Sequence, residues 1–203
     1  MIAIIDYDVG NIKSVCNAMD LLEMDWVLTR DKKEIQDSTA IILPGVGAFE
    51  DAINSLKEHG LVDLLREEIA KGKPFLGICL GMQLLFQRSY ENGIFEGLGA
   101  LKGDVIPFQT SFKVPHMGWN SLKFNPEKKD HPILKRNQDG EYVYFVHSYY
   151  VDGMDDETIA FGEYDQRFSA LVGKGSLIGM QFHPEKSGDV GLRLLESFKE
   201  MIQ

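Results

Sequence analysis

Short apolar runs alternate with amphipathic stretches through the first half of the chain. Ile2–Ile5 is uniformly apolar and reads as a buried strand. From Asn11 to Glu23, apolar Ile12, Val15, Cys16, Met19 and Leu22 recur at helical spacing, predicting a helix with that face inward. Trp26–Thr29, Ala40–Leu43 and Pro74–Ile78 read as further strands. The pattern predicts one or two helices over Phe49–Lys71, broken near Gly60, and another over Leu80–Arg88. Strand and helix in turn imply a parallel sheet covered on both faces. From Ala100 onward turns are frequent and the runs strand-like: Ala100–Pro107, Trp119–Phe124, Tyr142–Val146, Thr158–Tyr164, Ser169–Val172 and Ile178–Phe182. They are expected to extend the same sheet with an antiparallel part. Asn125–Glu141 is charged and reads as a surface excursion, and Val190–Ile202 as a closing helix. The expectation is one α/β domain, residues 1–203, with an open, mixed, mainly parallel sheet of flavodoxin-like type.

The 203 residues suffice for a substantial core without metal or disulfide staples. A net charge of −10 argues against coating nucleic acid, which needs a basic footprint. Two cysteines, Cys16 and Cys79, are too few for a disulfide framework and point to a reducing, cytoplasmic setting. Met1–Asp6 lacks a basic leader region. The uncharged stretch Pro74–Phe86 is shorter than the roughly 20 apolar residues of a membrane span.

Chemistry concentrates in a few places. Gly77-Ile78-Cys79-Leu80-Gly81 follows a strand and precedes a helix, the spacing of a nucleophile elbow with Cys at the centre. The flanking glycines let strand and helix cross closely around a strained residue. A helix N-terminus favours the thiolate, and the Leu80 N–H can receive an oxyanion. The bland alternative is a small buried cysteine. A thiolate needs a base. His183 ends an apolar run and opens His183-Pro184-Glu185-Lys186-Ser187, where Glu185, two residues on, can orient the ring. The alternative is a turn histidine. His59 and His131 read as surface residues. Pro44-Gly45-Val46-Gly47 between strand and helix leaves backbone N–H groups free to approach a substrate, unless it is an ordinary tight turn. No phosphate-loop or dinucleotide glycine pattern is present.

Taken together, the GICLGMQ elbow, the late HPEKS and the preceding glycine loop resemble the class I, triad-type glutamine amidotransferases. The resemblance implies Cys79 as nucleophile, His183 as base and acid, and Glu185 as orienter, releasing ammonia from glutamine through a glutamyl thioester. Pro44–Gly47, Asp6-Tyr7-Asp8-Val9-Gly10-Asn11, Pro115–Asn120 and Tyr144–Tyr149 are similar to the glutaminase subunits of imidazole glycerol phosphate synthase over the whole chain, although Asp8-Val9 stands where many members have Gly-Met. That likeness implies backbone oxyanion donors at Val46 and Leu80. It implies glutamine contacts at Gly47, Gln83, Glu91, His147, Ser148 and Tyr149. It also implies a (β/α)₈-barrel cyclase partner that consumes the ammonia, faced by Asn11, Met117, Trp119, Tyr144 and Lys186, with no cofactor or metal. Unaided, Trp119 reads as a core residue. Two other readings stay open: a paralogous glutaminase serving surface-sugar amidation, which shares nearly every motif, and a chaperone-like relative. The latter usually has His directly after the elbow Cys, where Leu80 stands here.

Overall fold

The computed structural model describes residues 1–8, 12–152 and 156–202. Strands, in chain order, are β1 (Ile2–Ile5), β2 (Trp26–Thr29), β3 (Ala40–Leu43), β4 (Phe75–Ile78), β5 (Arg88–Ser89), β6 (Phe95–Glu96) and β7 (Asp104–Pro107), then β8 (His116–Ser121), β9 (Lys123–Phe124), β10 (Tyr142–His147), β11 (Tyr149–Asp152), β12 (Thr158–Tyr164), β13 (Gln166–Lys174) and β14 (Leu177–Met180). Helices are α1 (Ile12–Leu21), α2 (Lys32–Asp37), α3 (Phe49–Glu58), α4 (Val62–Ala70), α5 (Leu80–Gln83) and α6 (Gly188–Met201).

The main sheet runs β2-β1-β3-β4-β14-β13-β12-β9. Pairings from β2 to β14 are parallel, and those from β14 to β9 antiparallel. Its period-two alternation builds two cores. Ile2, Ile4, Ala40, Ile42, Leu76 and Ile78 pack toward α1 and α6. Ala3, Ile5, Ile41, Leu43 and Phe75 pack toward α3 and α4. Every residue of β1, β3, β4 and β14 is buried, as a sheet covered on both faces requires.

The antiparallel extension holds for β9, β12 and β13, which β14 joins to the parallel part. β8 instead pairs with β10 as a separate ribbon, and β5, β6, β7 and β11 form a third sheet. The helix expected over Leu80–Arg88 ends at Gln83. The carbonyls of Leu84, Leu85 and Phe86, which a longer helix would use, accept from Leu98, Leu101 and Gly99 instead. A short helix unforeseen in the sequence, α2, is capped by Asp31, whose carboxylate accepts the N–H groups of Lys33 and Glu34. Asn125–Glu141 is not merely a surface excursion, because Asn125, Ile133 and Leu134 are buried. His59 and His131 are half-buried rather than surface residues: His59 contacts Asp8 and Arg30, and His131 accepts from the Ile133 N–H.

Candidate active site

The loops that follow the carboxyl ends of β3 and β4 line one crevice, at the end of the sheet where open parallel sheets collect ligands. Beyond β4 the chain turns at Cys79, whose φ of 54° lies in the left-handed region that a side chain adopts only at a cost of about 1–3 kcal/mol. The glycines make the turn possible. A Cβ on Gly77 would sit 2.6 Å from the Gly81 carbonyl oxygen, and one on Gly81 1.8 Å from the Leu43 oxygen. The Cys79 N–H donates to the Met180 carbonyl at 2.7 Å, so nucleophile and neighbouring strand are locked together. With only one turn of helix after it, Cys79 receives less help from the helix dipole than a long helix would give.

His183 follows β14. A two-residue spacing would put both side chains on one side of an extended segment, yet Pro184–Lys186 is a 3₁₀ turn, and Glu185 folds back so that His183 Nδ1 donates to its Oε1 at 2.8 Å. Both side chains are 2% exposed. Nε2 of His183 is buried with no hydrogen-bond partner. Burial opposes a charge on His183, but interaction with Cys79 and Glu185 outweighs it and raises its pKa to about 9. The backbone is tied down as well: His183 N–H donates to the Tyr144 carbonyl at 2.9 Å, and Ser187 Oγ bridges the His183 carbonyl and Tyr144 N–H.

Two side-chain amides flank the nucleophile. Gln83 Nε2 donates to the Tyr149 carbonyl and to Gln181 Oε1, each at 3.0 Å, while Gln181 Nε2 lies 3.9 Å from the Cys79 sulfur. Sequence reasoning missed Gln181, which is fully buried and two residues before His183. It missed Tyr7 too: its buried hydroxyl donates to the Pro44 carbonyl at 2.6 Å and would lie 2.7 Å from any Cβ on Gly45. Its place beside the quoted Asp6–Asn11 motif was the available signal.

At the glycine loop, Leu80 N–H donates to the Gly45 carbonyl at 3.4 Å. The Gly45–Val46 peptide therefore turns its oxygen, not the Val46 N–H, toward the elbow. A cavity of about 270 Å³ opens here, lined by Val46, Gly47, Cys79, Leu80, Gln83 and Glu91 on one side. Pro115 and Val146–Tyr149 close the other. The structure thus gathers all the residues singled out for glutamine contact. Glu91 is not a free loop acid; its Oε2 accepts the Phe49 N–H at 2.8 Å at the start of α3.

Met117 and Trp119 are 62% and 56% exposed, so Trp119 is no core residue. It meets half-buried Tyr144 edge-on across the β8–β10 ribbon. Lys186 is exposed, and Asn11 lies outside the described residues. Among the described residues no cluster of His, Cys, Asp and Glu could hold a metal, and no helix is long and apolar enough to cross a membrane.

A family model, glutamine amidotransferase class-I, matches residues 3–200. The chain belongs to this family. Its similarity extends to curated members called imidazole glycerol phosphate synthase subunit HisH. The one from Caldanaerobacter subterraneus subsp. tengcongensis is 51% identical, with 100% of this chain and 99% of that protein covered. The one from Lactococcus lactis is 50% identical, covering 99% and 98%. Among solved structures, a glutamine amidotransferase superposes with a TM-score of 0.77 at 19% identity, covering 98% of each chain. A chain of PurLQS from Thermotoga maritima gives 0.76 at 21%, covering 100% of this chain and 98% of that one. At those identities the structural likeness speaks for the class I amidotransferase fold alone.

Proposed function

We propose that the chain is the glutaminase subunit of an imidazole glycerol phosphate synthase. It hydrolyses glutamine to glutamate and ammonia on Cys79 and passes the ammonia to a (β/α)₈-barrel cyclase, which makes imidazole glycerol phosphate and AICAR. The observation that carries the reading is the buried Cys79–His183–Glu185 array at the mouth of the cavity lined by Gln83, Glu91 and Val146–Tyr149.

Cys79 reacts as the thiolate, its proton resting on His183 Nε2 and the imidazolium balanced by Glu185. Sulfur attacks the side-chain amide carbon of glutamine, and the carbonyl electrons move onto oxygen. As the tetrahedral adduct collapses, His183 gives its proton to the departing nitrogen. Ammonia leaves and a thioester remains. Water, deprotonated by the now neutral His183, attacks the thioester carbon, and collapse releases glutamate and restores the thiolate. Leu80 N–H supplies one oxyanion donor. Val46 N–H supplies the second once the Gly45–Val46 peptide rotates, and Gly45, lacking a Cβ, allows that rotation. The inward carbonyl then describes a resting state that holds hydrolysis down until the partner is loaded. Gly47, Gln83, Glu91, His147, Ser148 and Tyr149 hold glutamine. Met117, Trp119 and Tyr144 face the cyclase, with Asn11 and Lys186 passing its signal.

The test mixes the protein with its cognate cyclase, glutamine and the ribulosyl aminoimidazole carboxamide substrate. Imidazole glycerol phosphate should form. Product from free ammonia but none from glutamine would sink the reading, and amidation of a sugar substrate in its place would favour the paralogue.

A further inference from the structure

Two buried imidazoles take no part in the triad: His147, which lines the cavity, and His116 behind it. His116 on β8 and His147 on β10 are cross-strand partners, 3% and 6% exposed, with His116 Nδ1 3.0 Å from His147 Nε2. The atoms at either end fix where the protons sit. At one end, Asn120 Oδ1 accepts the Ser121 N–H at 2.8 Å, so the other amide atom is the nitrogen, which only donates. That nitrogen reaches the Glu163 carbonyl at 2.7 Å and His116 Nε2 at 3.3 Å, so His116 Nε2 must accept. At the other end is the Tyr149 carbonyl, which only accepts, 2.8 Å from His147 Nδ1. One arrangement satisfies both ends and the middle: both rings neutral, each carrying hydrogen on Nδ1, donating in one direction from Asn120 to Tyr149. Burial pushes His116 down to about 4 and His147 to about 3, which keeps both rings neutral at physiological pH.

The relay ends on an atom central to the cavity. The Tyr149 carbonyl also receives Gln83 Nε2, whose other hydrogen goes to Gln181. One oxygen thus fixes the His147–Tyr149 wall and Gln83 together. His147 Nε2 is engaged by His116, so His147 is not a spare base for Cys79. The relay starts on β8 from the residues that alternate with exposed Met117 and Trp119.

We propose that His116 is a positioning residue: by fixing the His147 tautomer it holds the Tyr149 carbonyl, and with it the wall that receives substrate. The inference deepens the glutaminase reading and rests on it for the identity of the substrate. His116 also stacks on Phe145 and Tyr164, at centroid distances of 5.0 and 4.2 Å. His116→Phe therefore keeps the stacking and removes the relay. His116→Asn packs worse but retains a donor near the Nδ1 position. Packing and relay predict opposite orders for the two variants.

In partner-activated glutaminase assays, His116→Phe should raise the glutamine KM on the order of tenfold, the effect of one broken buried hydrogen bond, with kcat changed less than about threefold. His116→Asn should recover part of that loss despite a lower melting temperature. In the full chain alone, ¹⁵N NMR of the His147 ring should show hydrogen on Nδ1 and a bare Nε2. That measurement needs neither substrate nor partner, so it judges the relay even if glutamine proves not to be the substrate. An unchanged KM in folded His116→Phe, a KM better in Phe than in Asn, or His147 protonated on Nε2 would overturn the proposal.

Discussion

The elbow around Cys79 and the loop around Val46 touch each other and are built on opposite terms. In the elbow, Gly77 and Gly81 are jammed against backbone, Cys79 is held at positive φ, and its N–H is tied to Met180. In the loop, Gly47, at a φ of 100°, has open space where a Cβ would sit. Only Gly45 is crowded, by Tyr7, Leu80 and Gly81. A nucleophile must be in one place in every state. An oxyanion donor that is to be regulated must be able to leave. The fold gives the first no freedom and the second one peptide's worth.

Removing the fixed component should cost most. Cys79→Ala should lower glutamine hydrolysis by roughly 10⁶-fold, as loss of a nucleophile does elsewhere, while ammonia-driven product formation by the complex persists. Residual turnover near the native rate would mean that the elbow is not the reacting site. Cys16 should be dispensable for chemistry. Next come His183→Asn and Glu185→Gln, with the second milder because it keeps shape and some hydrogen bonding. Combined with Cys79→Ala, neither should add to the loss, since the three act as one unit. Single-turnover thioester formation is the measurement, and near-normal acylation in His183→Asn would call for another base.

The adjustable component should matter less, and only in the activated state. Val46→Pro deletes one donor and should cut activated glutaminase about 10²–10³-fold while sparing the basal rate. If the variant folds, binds its partner and is still strongly activated by nucleotide, the second donor lies elsewhere. The smallest effect on rate is expected for Tyr7→Phe. Without its hydroxyl the Pro44 carbonyl loses a buried partner, costing about 1–2 kcal/mol of stability by denaturant midpoint. The loop should then rotate more readily, narrowing the ratio of activated to basal rate by a few fold; an unchanged ratio would make Tyr7 purely structural.

What the sequence made legible follows the same divide. The elbow was readable because close crossing demands glycine on both sides of one residue, and the parallel strands because burial on both faces makes them uniformly apolar. The oxyanion loop was recognisable, but which way its peptide faces depends on Leu80 and Tyr7, far away in sequence. Strand identity in the second half was sound except for β11, which was missed, and assembly was not. A period of two says which side chains share a face; it does not say that β8 would choose β10 over the main sheet. Helix α2 offered only Ile35 as an inward residue, too little for a periodic signal. The His116–His147 pair depends on cross-strand register, which no local pattern encodes.

Nucleophile and base sit on adjacent strands in the middle of the sheet, yet β14 is synthesised about a hundred residues after β4. At translation rates of about 5–20 residues per second, the growing chain spends roughly 5–20 s with Cys79 made and His183 absent. During that time β4 has β3 on one side and a bare, wholly apolar edge on the other. Until then the chain lacks its base, and the edge of β4 that β14 will cover has no partner. Completion of the last strand closes that edge and assembles the triad in one event, so correct folding and the first capacity for turnover arrive together.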